Sequence, residues 1–302
     1  MRIVSLLPAA TEIVCALGAA DALVGISHEC DYPPEITHLP RVTASIVSPH
    51  GSSVEIDTAV RELAAEGKPV FALDAAQIAE LAPDVILTQS LCEVCAVSDG
   101  VAQSLTTLLA PRPLVVLPLV GSTLAGVWND IRAVASVIGR GTAGARLLAS
   151  LDARVVQVHE TLKAARAPRH RVTVVEWLDP LFVAGHWTPE LVRRAGGIDA
   201  LAEPGAHSRR TTLPEIEESR PDLLVFAPCG FGVARAQDEA RQLLREPAWA
   251  WTSGISGVWA LDGNALTSRP GPRLADAIEV LAAIIAPSCF PPPPALYARL
   301  IR

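Results

Sequence analysis

Charged and aromatic side chains are scarce in this chain: 19% of its residues are charged and 4% aromatic, while half are apolar. A disordered protein is therefore excluded, because 302 residues of this composition can bury one or two substantial cores, with two domains the better expectation. There is no run of Lys and Arg, and the net charge is −7. A nucleic-acid partner, which needs a basic face, is not expected. Nor does any stretch reach the roughly 18 apolar residues of a membrane span. Even the alanine-rich run around Leu281 is bounded by Glu279 and Pro287, so no membrane insertion is expected. Pro8, Thr11 and Glu12 interrupt the first apolar run and leave only 3–7, too short for the hydrophobic region of a secretion signal. That reads as a cytoplasmic protein, the alternative being a periplasmic one whose signal lies outside this sequence. A Gly-rich phosphate loop, a G-x-S-x-G elbow and an H-E-x-x-H pair are all missing. Six cysteines are too few for a disulfide framework at this length, so those that matter are expected to act as ligands or redox groups.

What is present is an alternation of short buried strands and amphipathic helices. Residues 2–7 read as a strand, followed by a helix with Ile13, Leu17 and Ala20 at helical spacing, Thr11 as its N-cap and Gly18 at its end. A strand over 23–26 runs into Pro33-Pro34, and Ser53 is expected to cap a helix over 54–66. Strands over 69–73, 83–87 and 114–117 and a helix over 101–109 complete a first lobe. From Thr123 the pattern turns helical, and Leu148, Leu151, Val155, Val158, Leu162 and Ala165 form one apolar stripe. About 25 residues at 1.5 Å each predict a rod of roughly 37 Å, long enough to brace two lobes. A second α/β series follows, with strands over 172–176, 181–184, 223–227 and 258–261. Its helices fall over 213–219, 235–244 and 272–285, and one more has Thr188 as N-cap and Pro189 at N1. A polyproline segment over 291–294 and a tail to residue 302 end the chain. The expected fold is α/β: two Rossmann-like lobes with mainly parallel sheets, over 1–121 and 168–302, joined by long rigid helices over 122–167, with a ligand cleft between the lobes.

Several stretches match one family. They are Ile3-Val4-Ser5-Leu6-Leu7-Pro8-Ala9-Ala10-Thr11-Glu12, Val24-Gly25-Ile26-Ser27 with Asp31-Tyr32-Pro33-Pro34, and Leu81-Ala82-Pro83-Asp84-Val85-Ile86. In the second lobe Pro221-Asp222-Leu223-Leu224-Val225 and Arg269-Pro270-Gly271-Pro272-Arg273 join them. With these the chain resembles the class III substrate-binding proteins of ABC importers, which bind cobalamin, haem and siderophores, and its first lobe is most similar to the cobalamin-binding members. The resemblance implies binding of a small-molecule ligand without turnover. Members dock on the permease through a glutamate on each lobe, seven residues before the proline of the Pro-Asp motif. Here those positions hold Ala76 and Pro214, with Glu215 one residue off, so docking on a permease is not expected. The stretch 45–68 reads as an insertion in the first lobe.

In open α/β sheets ligands bind beyond the carboxyl ends of the strands. The loops expected there carry Pro8, Glu12, His28, Cys30, Cys92, Cys95, Glu176, Trp177, His186, Trp187, Cys229, Phe231, Arg269 and Arg273. Two chemistries fit this set. In the first, which the resemblance implies, Trp177, Trp187 and Phe231 offer apolar faces to a corrinoid macrocycle such as cobalamin. Arg269 or Arg273 would pair with its polar edges and His28 or His186 would meet the central metal. In the second, the chain is an enzyme in which thiolates of Cys30 and the C-x-x-C pair Cys92 and Cys95 ligate zinc or an iron–sulfur cluster, since soft ligands suit those metals.

Overall fold

The computed structural model describes residues 1–90 and 113–302. The C-x-x-C pair Cys92 and Cys95, and the helix expected over 101–109, lie outside the described residues. The chain divides into two compact units, one of Met1–Gly121 with Ala125–Ala149, the other of Ser122–Leu124 with Ser150–Arg302.

In the first unit, strands β1 (Ile3–Ser5), β2 (Leu23–Ile26), β5 (Val85–Gln89) and β6 (Val115–Leu119) form a four-stranded sheet in the order β2-β1-β5-β6. All its pairings are parallel. Central parallel strands are covered on both faces, which is why Ile3-Val4 and Val85-Ile86-Leu87 are unbroken apolar runs and almost wholly buried. Helix Pro8–Ala16 starts one turn before the expected cap. Pro8, pre-set to a helical φ, takes the first turn, and Thr11 is an interior residue whose Oγ1 lies 2.8 Å from Ser5 Oγ. The stretch 45–68 is the body of a side excursion. Strands β3 (Thr43–Ser45) and β4 (Phe71–Leu73) pair antiparallel, and helix Ser53–Ala65 lies between them in sequence. Ser52 rather than Ser53 is its cap, because only Ser52 stands three residues before Glu55 and can close a reciprocal capping box. Within helix Leu124–Val137 the buried positions Val127, Ile131 and Val134 share one face. Asp130, on the same helix and 4% exposed, accepts the amides of Val120 and Gly121 and so pins the chain leaving β6.

The second unit holds strands β7 (Arg171–Leu178), β8 (Leu181–Val183), β9 (Ile198–Asp199), β10 (Arg209–Arg210), β11 (Leu223–Phe226), β12 (Gly257–Leu261) and β13 (Ala298–Leu300). Their order is β10-β8-β7-β11-β12-β13, with β9 beside β7. β7, β11 and β12 are parallel, and β8, β10 and β13 add antiparallel margins. The tail after the prolines is thus a strand, because the Pro294 carbonyl accepts the amides of Tyr297 and Ala298 and turns the chain back along β12. The core of this unit gathers Phe226, Trp249, Leu224 and Val258. Helix Leu274–Ile285 is buried along nearly all its length. The long helix Gly141–Ala164 buries Leu148, Leu151, Val155 and Val158 of the expected stripe, while Leu162 is half-buried and Ala165 falls past the helix end and is exposed. From its side Arg154 grips Glu279 through Nε at 2.8 Å and Nη2 at 2.6 Å, and also contacts Asp276.

Asp199, at the end of β9, accepts the amides of Leu201 and Ala202 at 3.0 and 2.8 Å, yet burial pushes its carboxyl up to about 6. The folded state therefore holds a proton that the unfolded chain, titrating near 4, has already lost. Between about pH 4 and pH 6 stability falls as pH rises. Asp199→Asn keeps an acceptor for both amides without the buried charge. Urea unfolding is expected to show this variant about 2 kcal/mol more stable than the parent at pH 8 and equal to it at pH 4.

Candidate functional site

At the carboxyl ends of the first unit's strands the expected residues turn inward. Pro8 is half-buried and Glu12 is 4% exposed. Cys30 is 1% exposed, and its sulfur lies 3.1 Å from Thr11 Oγ1. His28 packs its ring on Phe71 at 5.3 Å and places Nδ1 2.6 Å from Thr43 Oγ1. Its Nε2 is buried and has no hydrogen-bond partner among the described residues. Burial, aided by Arg41 and opposed by Glu29, holds this imidazole below its ordinary pKa and hence neutral at pH 7. Cys15 sits beside Glu12 and Cys30, and burial raises its thiol to about 11, so it is no nucleophile near neutrality.

In the second unit the structure brings Glu176, Trp177, Cys229 and Phe231 together at the ends of β7 and β11. The Cys229 amide donates to the Glu176 carbonyl at 3.0 Å, which closes one loop on the other. Trp177, half-buried, meets the Phe231 ring at 5.4 Å and 59°. Phe231 itself is 3% exposed and carries a guanidinium over its ring, with Arg235 Cζ 3.5 Å from its centroid. Arg235 is in turn held by Glu239, one helical turn on, at 2.9 Å. The Trp177 indole thus meets a buried ring that is itself contacted by an ion-paired arginine. Cys229 is exposed beside it. Arg235 and Glu239 are not among the residues expected from the sequence, although their spacing of four on a helix is a readable ion-pair signal.

The other expected residues of this unit lie elsewhere. Trp187 is 7% exposed, and its indole Nε1 donates to the Thr267 carbonyl at 2.8 Å, so it packs inside rather than offering a face. His186 adopts a left-handed φ of 52° and stands against Trp187 at 5.6 Å and His207 at 5.2 Å. Burial first and His207 second lower its pKa, and its Nε2 is buried without a partner among the described residues. His207 escapes a reading of the sequence, because nothing in its spacing points to His186. The two meet through backbone pairing, His186 N to Ala206 O at 2.6 Å and Gly205 N to His186 O at 2.8 Å. Arg269 and Arg273 are 4% and 8% exposed. Arg269 donates to Asn264 Oδ1 at 3.0 Å, and both arginines partly offset the burial that raises the Asp262 carboxyl.

Among the described residues no three or more His, Cys, Asp or Glu side chains stand close enough to hold a metal ion. Of the three thiols in the metal-centre reading, Cys92 and Cys95 lie outside the described residues, and Cys30 is 1% exposed. No helix among the described residues is long and apolar enough to cross a membrane. Glu215, one position from the family's docking glutamate, is bound to Arg209 at 2.5 Å and accepts from Thr211 at 2.8 Å, and Arg209 holds its carboxyl below the usual range.

A protein-family model described as periplasmic binding protein matches residues 3–254. The vitamin B12-binding protein of Vibrio cholerae is 22% identical over 292 residues, covering 92% of this chain and 86% of the relative. An ABC transporter substrate-binding lipoprotein of Bacillus subtilis is 23% identical over 296 residues, 96% of this chain and 81% of its own length. Among solved structures, a periplasmic haem-binding protein from Pseudomonas aeruginosa superposes with a TM-score of 0.73 at 20% identity, covering 99% of this chain and 97% of its own. The two-lobed α/β fold expected from the sequence is the fold of these structures. With the matched model spanning most of its length, this chain belongs to the periplasmic binding protein family.

Proposed function

We propose that this protein captures a large planar macrocycle, a corrinoid of the cobalamin type, on its Trp177 face and releases it unaltered. The observation that carries this reading is the contact chain from Trp177 through Phe231 and Arg235 to Glu239 at the ends of β7 and β11. In a chain with so few aromatic residues, an indole plane held rigid at a strand-end loop is what a flat, largely apolar ligand needs, because little side-chain freedom is lost on binding. The relative named for vitamin B12 supports the corrinoid, and the haem-binding neighbour makes haem the natural competitor. Delivery to an ABC permease belongs to the same proposal, by likeness to the Bacillus subtilis lipoprotein. Docking through Glu215 would have to release it from Arg209. The proposed home is extracytoplasmic, in keeping with relatives described as periplasmic or as lipoproteins, among which the cytoplasmic expectation finds no support.

Protein purified without oxygen tests this reading against a thiolate-held metal centre. Corrinoid capture predicts a colourless protein that gains a bound-cobalamin spectrum on titration and keeps that behaviour when Cys92 and Cys95 are both changed to serine. Stoichiometric zinc or iron that the same double substitution abolishes would overturn it.

A further inference from the structure

Away from the Trp177 face, a cavity lies wholly within the second unit, where the last turns of helix Gly141–Ala164 and helix Thr188–Arg194 and the segments that follow each come together. Its volume is about 760 Å³, in the range of small-molecule pockets. The floor is apolar: Val155 is buried, Leu162 partly so, and Val156 is left 57% exposed. Gly196, at a φ of +92°, lets this floor close, because a Cβ there would stand 2.8 Å from Leu162 Cδ1. The rim is basic, with Lys163, Arg166, Arg169, Arg193 and Arg194 all lining it and Glu190 the only acid among the lining residues.

Two helix C-termini attract cations, and that alone could explain a basic rim. Magnitudes decide against it. Each helix end supplies about half a negative charge, which with Glu190 makes about two against five cations. Glu190 is already used, bound to Arg194 at 3.0 Å and accepting the Leu124 amide at 3.1 Å. Arg169 donates to the Gly197 carbonyl at 2.7 Å, which leaves its charge uncancelled. Arg193 reaches Glu203 only at 3.8 Å, with both side chains exposed, and Lys163 reaches Glu160 at the same distance. In a chain of net charge −7 this concentration of positive charge over bare valine is a departure from the rest of the molecule.

We infer that this cavity binds a small amphipathic organic anion, a carboxylate or phosphate on an alkyl body, with the acidic group forked between rim guanidiniums and the alkyl part on Val155, Val156 and Leu162. Calorimetric titration of the intact protein with decyl phosphate and with decanoate, both below their micelle concentrations, tests it. Saturable 1:1 binding in the range of about 1–100 μM is expected, weakening as salt rises. Arg166→Glu with Arg193→Glu is expected to lower the affinity at least tenfold, and Val156→Asp to do so separately, while cobalamin titration of the same variants is unchanged. No saturable binding up to about 1 mM, affinity indifferent to the charge reversals, or uptake only of phosphatidylglycerol vesicles and not of the free anions would each overturn the inference.

Discussion

Trp177→Ala is expected to weaken corrinoid binding by about 10- to 100-fold, or about 1.4–2.8 kcal/mol, with little change in folding stability. The indole is half-buried at the end of β7 and its Nε1 donates to the nearby Asp179 carbonyl at 3.2 Å, so its removal opens no cavity in the core. Phe231, by contrast, is almost wholly covered and contacts both Trp177 and Arg235, and it supports the indole without being the exposed face. Trp177→Phe should therefore keep most of the affinity, because a smaller ring can still lie on Phe231. Trp187→Phe should leave affinity unchanged and lower stability instead, since the Trp187 indole holds the Thr267 carbonyl inside the unit. Equal affinity for the parent and Trp177→Ala, measured by absorbance titration, would remove Trp177 from the site.

Gly263→Ala is expected to destabilise the second unit by about 3 kcal/mol or more. An added Cβ would stand 2.2 Å from the Pro228 carbonyl oxygen and 2.8 Å from that of Ala227, both backbone atoms that no rotamer change can clear. The glycine opens the short helix Gly263–Leu266, whose Asn264 amide donates to the Phe231 carbonyl at 3.1 Å. Pushing this helix away moves the loop that carries Cys229 and Phe231. The same variant should therefore bind ligand more weakly even at temperatures where it is folded, as thermal unfolding and titration on one sample would show. A melting temperature within a degree or two of the parent would contradict the packing described here.

The elements most legible in the sequence are those buried on both faces. β1, β5 and β11 stand where unbroken apolar runs predicted them, because central parallel strands admit no polar alternation. The long helix was equally legible from its stripe. The site was less so, for a physical reason: strand-end loops have no periodicity, so a residue type there does not reveal which way it faces. Trp177 and Trp187 read alike in sequence, yet one is a half-buried face and the other a core residue. The pairing of β7 with β8 shifts register between Val175 and Trp177, which breaks the two-residue rule just where the site begins. Arg269 and Arg273, expected from the sequence at a strand-end loop, are buried near Asp262, and loop sequence carries no signal of that burial. The meeting of His186 with His207 depends on backbone hydrogen bonds between segments about twenty residues apart, and local spacing carries no trace of it.

The central claim, capture of a macrocycle without chemistry, is tested most directly by calorimetric titration of the intact protein with cyanocobalamin, followed by extraction and mass spectrometry of the bound ligand. The account predicts one saturable site per chain, tighter for cyanocobalamin than for haemin, and a ligand recovered unchanged in mass. No heat of binding with either macrocycle, or a recovered corrinoid altered in mass, would contradict it.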